Sequence, residues 1–120
     1  MSDIAHLTEP DHGVALGFGV SALATLREVD RAKEWAERAV LLDPDNTNLT
    51  YNLACSMVKL GETDRAIAIL TPVFQVSQAQ NLNWFKIDSD LDPIREDPRF
   101  KAMLEQADAR LAKSPPPGPA

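Results

Sequence analysis

Apolar and small residues recur at three- and four-residue spacing along most of the chain, the period of helices rather than strands. Ala32, Ala36, Ala39 and Val40 share one face of a segment whose other side carries Lys33, Glu34, Glu37 and Arg38. Phe100, Met103, Leu104, Ala107 and Leu111 form a second stripe near the C-terminus. Punctuation between the stripes sets the boundaries. Asp43-Pro44-Asp45-Asn46-Thr47 stops one helix and offers caps for the next. Gly61 suits a helix end, while Glu62 and Asp64 suit the start of the following helix. The pattern predicts helices A1 over about 11–27, B1 over about 30–43, A2 over about 47–60 and B2 over about 63–76. Links this short turn neighbouring helices antiparallel.

Self-similarity sharpens this reading. Leu26-Arg27-Glu28-Val29-Asp30-Arg31-Ala32 recurs as Leu60-Gly61-Glu62-Thr63-Asp64-Arg65-Ala66, five of seven residues matching at an offset of 34. A period of that length belongs to stacked pairs of helices. With Ala32, Ala39 and Pro44 in the first unit and Leu53, Ala54, Gly61 and Ala66 in the second, residues 13–76 resemble the tetratricopeptide (TPR) family. They depart from its pattern at Val73 and at Pro72. A proline inside a helix removes one hydrogen bond and costs about 3 kcal/mol, so a kink or a restart at Thr71-Pro72 is expected.

The resemblance implies an all-α fold in which antiparallel helix-turn-helix repeats form a short right-handed solenoid with C-terminal capping helices. Repeat 1 spans about 13–46, repeat 2 about 47–80 and the helical cap about 81–113, in a single domain of residues 1–113. In the cap, the Asp92-Pro93 and Asp97-Pro98 pairs each read as an N-cap followed by proline at the first helical position. They predict a short turn from Pro93 and a last helix over about 98–113. The tail Ser114-Pro115-Pro116-Pro117-Gly118-Pro119-Ala120 is expected to be disordered. Tyr51 to Cys55, Trp84 and Asp90 to Phe100 are also similar to the C-terminal TPR ends of bacterial class III adenylate/guanylate cyclases and some Ser/Thr kinases. A regulatory or oligomerising role within such a protein is the alternative to a free-standing module.

Composition narrows the function classes. Apolar residues make up 44% and charged residues 25%, an ordinary globular balance,. A net charge of −6 disfavours nucleic acid and anionic lipid, both of which need clustered Lys and Arg,. The single Cys55 allows no internal disulfide and fits a reducing, cytoplasmic setting,. No signal peptide is legible at the N-terminus, and the fourteen uncharged residues from Gly13 to Leu26 are too few to span a bilayer,. Phosphate-binding, nucleophile-elbow and zinc-protease motifs are all missing, so no enzyme and no cofactor is expected. Asp88-Ser89-Asp90-Leu91-Asp92 imitates the start of a calcium loop. Pro93 and Arg99 then stand where that loop requires Gly and Glu, and the acids read as caps. His6 and His12 read as solvated, Cys55 as a small buried or groove-facing residue, and no metal site is expected.

The expected ligand is a protein or peptide. In the family, the A helices line a concave face, and Asn52 matches the position whose amide bonds an extended peptide backbone. Tyr51, Cys55, Val58 and Lys59 are expected on or near that face. The lysine pair that holds a peptide carboxylate in some relatives is replaced by Gly17 and Ser21. In helix A1, Val14, Leu16, Phe18, Val20, Leu23 and Leu26 point to more than one side, and a helix apolar all round is normally buried all round. Either preceding repeats of a longer parent or a second copy of the chain is therefore expected to cover A1. Self-association as a homodimer through Val14, Leu16, Phe18 and Val20 is the preferred reading, and Gly17 and Gly19 allow close approach in either case.

Overall fold

A computed structural model of the chain describes residues 13–113. These residues form α1 (Gly13–Thr25), α2 (Val29–Leu42), α3 (Thr47–Lys59), α4 (Thr63–Val76), α5 (Ala79–Ile87), a 3₁₀ segment (Ser89–Ile94) and α6 (Pro98–Lys113), with no strand among them. His6, His12 and the proline-rich tail lie outside the described residues.

The repeated heptad becomes a repeated turn. After α1, the Glu28 N–H donates to Leu23 O at 2.9 Å and the Arg27 N–H to Ala24 O at 3.1 Å. After α3, the Glu62 N–H donates to Met57 O at 2.9 Å and the Gly61 N–H to Val58 O at 3.0 Å. Both closures need a left-handed residue, and Arg27 (φ 62°) and Gly61 (φ 78°) supply it,. Asp30 and Asp64 then sit in the first turns of α2 and α4, where a negative charge meets the positive helix end,. Asn46 caps α3, its Oδ1 accepting from the Leu49 N–H at 3.0 Å,.

Each turn folds one helix back on the last, giving hairpins α1/α2 and α3/α4, and α1 also packs on α3. Glycine makes the close approach possible. A Cβ on Gly17 would lie 2.5 Å from Leu49 Cδ1, and one on Gly19 would lie 2.3 Å from the Trp35 ring. Leu16 and Val20 are fully buried within the chain. The expected self-association surface is thus corrected: Leu16 and Val20 face α2 and α3 rather than a second copy, and both glycines serve contacts inside the chain. Phe18, 75% exposed, is the residue of that set standing outside. The side chain of Val14 lies outside the described residues.

Of the kink or restart expected at Pro72, the restart is corrected, because α4 runs through it from Thr63 to Val76. Pro72 and Ala68, whose carbonyl loses its partner, are both exposed, so water can satisfy the freed oxygen,. Thr71 begins no new helix; its hydroxyl donates to Ile67 O at 2.8 Å.

Beyond α4 the chain is tied on by aromatic rings. Tyr51 stacks on Phe85 with centroids 4.7 Å apart, Phe85 stacks on Phe74 at 5.0 Å, and Phe74 meets Phe100 edge-on at 5.7 Å. This ladder joins α3, α5, α4 and α6, and offset stacked and edge-on rings are the favoured geometries. Arg95 fastens the 3₁₀ segment: its guanidinium donates to Phe85 O, Lys86 O and Asp88 O at 3.2, 2.8 and 2.6 Å, and its Nε donates to Asp92 at 3.1 Å. One cation so serves the carbonyls at the C-terminal end of α5. Asp97 caps α6, its Oδ1 accepting from the Arg99 N–H at 2.9 Å. The contact with Arg99 also holds the Asp97 carboxyl below its ordinary range.

Candidate functional site

An open groove of about 700 Å³ lies between α1, α3 and the 3₁₀ segment. Its first wall is Gly17, Phe18 and Ser21 of α1; its floor is Leu49, Asn52, Cys55, Val58 and Lys59 of α3; Ser89, Asp90 and Pro93 close the other side. The repeat explains this layout. Phe18 and Asn52 stand 34 residues apart, as do Ser21 and Cys55, so matching positions of the two hairpins face the same space.

Of the expected groove residues, Asn52, Cys55, Val58 and Lys59 line the cavity. Tyr51 does not. It is half-buried, stacked on Phe85, with its hydroxyl donating to Asp88 Oδ2, and it braces the floor from behind. Burial first, and then the bond to Asp88, push the Tyr51 phenol well above its ordinary value,. It stays neutral and keeps its proton for that bond.

The lining is amides and hydroxyls over an apolar base. Asn46 is committed to its cap and to Asp43, to which its Nδ2 donates at 3.1 Å. Asn48 and Asn52, one helical turn apart and both exposed, make no side-chain hydrogen bond to the described residues. Each amide can donate and accept, which suits the alternating N–H and C=O groups of an extended chain.

The least expected feature is at the foot of the 3₁₀ wall. Cys55, Asp88 and Asp90 bring one donor atom each to within 4.8 Å of one another. Asp88 ends α5 and begins the 3₁₀ segment, its Oδ1 accepting from the Asp90 N–H at 3.0 Å. Burial, then the charges of Asp88 and Asp90, push the Cys55 thiol up to about 12. A thiol so protonated at neutral pH is a poor nucleophile. From sequence, Asp88 and Asp90 read as caps and solvated acids once the calcium-loop pattern failed at Pro93 and Arg99. Thirty-three residues separate Cys55 from Asp88, and no ligand spacing signals a contact made through the Tyr51–Phe85 stack.

Comparison with family models, curated proteins and solved structures finds no match for this chain. Among the described residues, no helix is long and apolar enough to cross a membrane.

Proposed function

We propose that the chain is a non-catalytic TPR-type interaction module that holds an extended segment of a partner protein in the groove between α1 and α3. The observation carrying this reading is the repeat-related lining: Phe18 with Asn52 and Ser21 with Cys55 present one surface from two stacked units,. Asn48 and Asn52 offer directed contacts to peptide groups, Phe18 and Val58 offer apolar area, and Lys59 and Asp90 set charges at the rim,. The protonated Cys55 thiol supports a binding role over a nucleophilic one,. A reducing, cytoplasmic setting goes with a single unpaired cysteine,.

Peptide display against the full chain, followed by calorimetry on the enriched sequences, tests the proposal. Enriched peptides are expected to lose about fivefold in affinity with Asn52→Ala, since one directed hydrogen bond contributes on the order of 1 kcal/mol. Equal affinity for the parent, Asn52→Ala and Phe18→Ala contradicts it.

A further inference from the structure

The Asp88 carboxylate is buried, 6% exposed, and forms no ion pair among the described residues; the Arg95 guanidinium meets its backbone carbonyl, at 2.6 Å. The nearby bases are engaged elsewhere: Arg95 with Asp92 and three backbone carbonyls, Lys86 with Asp108 at 3.0 Å. Asp90 adds a second carboxylate two residues on, also without an ion pair, and Cys55 adds sulfur from α3. Two hydrogen bonds orient the Asp88 side chain, and lone pairs remain on both of its oxygens,.

We propose that Cys55, Asp88 and Asp90 form a divalent transition-metal site of the zinc class, with its fourth position open to the groove. The donor set selects the ion. A thiolate disfavours magnesium and calcium, two carboxylates disfavour copper(I), and a mixed sulfur and oxygen set suits borderline ions such as Zn²⁺ and Co²⁺. Three protein donors with one open position is the arrangement in which water or an incoming group completes a tetrahedron.

The distances allow it. Bonds of about 2.0–2.3 Å put tetrahedral donors about 3.5 Å apart. The present spread of up to 4.8 Å closes with a contraction of about 1.3 Å, to which a torsion of the exposed Asp90 side chain contributes,. On binding, the Cys55 S–H bond breaks and its proton leaves to solvent, while a sulfur–metal bond forms and the aquo ion sheds waters. The Tyr51 hydroxyl holds Asp88 as outer partners hold metal-binding carboxylates,. This site stands whether or not the groove takes a peptide.

Titration of Co²⁺ into the reduced full chain tests it by absorption. A thiolate-to-cobalt charge-transfer band is expected to saturate at one ion per chain and to fall when Zn²⁺ is added. Cys55→Ser removes the band, and Asp90→Asn, an exposed change that leaves the fold intact by circular dichroism, weakens Co²⁺ binding at least about tenfold. The His6→Ala, His12→Ala double variant keeps it. No band at about 1 mM Co²⁺, a band surviving in Cys55→Ser or lost with the two histidines, or parental affinity in Asp90→Asn overturns the site.

Discussion

The two helical hairpins share a turn and differ in what they pack against. In α1/α2 the helices close through missing side chains, with Trp35 over Gly19 and Leu49 against Gly17. In α3/α4 the corresponding space is filled: Tyr51 and Leu53 stand 34 residues beyond Gly17 and Gly19, and Tyr51 begins the ring ladder to the C-terminal helices. The same backbone unit therefore closes tightly through its glycines at one position and connects to the C-terminal helices at the other. Shared positions keep the turn, and the unshared ones decide what each unit touches and offers to the groove.

The comparison breaks most readily at the ladder. Phe85→Ala removes the ring between Tyr51 and Phe74 and is expected to cost about 3–5 kcal/mol, read from the urea midpoint,. In the first hairpin, Gly19→Ala drives a methyl into Trp35 and is expected to cost about 1–3 kcal/mol, with Trp35→Leu in the same chain recovering part of the loss,.

The turns give a smaller and cleaner contrast. Nothing lies within 4 Å of a Cβ on Gly61, so Gly61→Ala measures backbone strain alone and is expected to cost about 1 kcal/mol,. Arg27 already carries that strain, but its Nη1 donates to Lys59 O at 3.1 Å and ties the two turns together. Relief and loss oppose each other in Arg27→Gly, and the expected change stays under about 1 kcal/mol.

The pH profile separates the hairpins as well. Cys55 and Tyr51, both on α3, are held neutral in the fold, their folded values raised above the ordinary 9.0 and 10.0. A raised folded value means full stability below the unfolded value and loss as pH climbs past it. The metal-free chain is expected to weaken from about pH 9 upward, reaching about pH 12 for the Cys55 contribution,. In Cys55→Ser the decline begins later, above the ordinary tyrosine value of 10.0.

Helices α1 to α4 were legible in the sequence because their signals are local: period, cap, breaker and a repeated heptad. The last helix was too, through Asp97-Pro98 and the Phe100 stripe. What stayed hidden depends on partners distant in the chain. The apolar surround of α1 reads as a surface awaiting a second molecule, since periodicity cannot reveal that Trp35 and Leu49 cover it. Pro72 reads as a candidate helix restart because a sequence does not show its turn facing water. Four groove residues followed from the A-helix register, whereas Tyr51 turned inward to Phe85 and Asp88. The Cys55–Asp88–Asp90 cluster exists only because that ring stack seats the 3₁₀ segment on α3.

The most direct measurement for the groove is amide chemical-shift mapping of the full chain while a display-selected peptide is added. The largest shifts are expected on Phe18, Ser21, Asn48, Asn52 and Lys59, matching positions of the two hairpins moving together. Shifts centred instead on the exposed Trp84 and Ile87 of α5, with α1 and α3 unmoved, would contradict it.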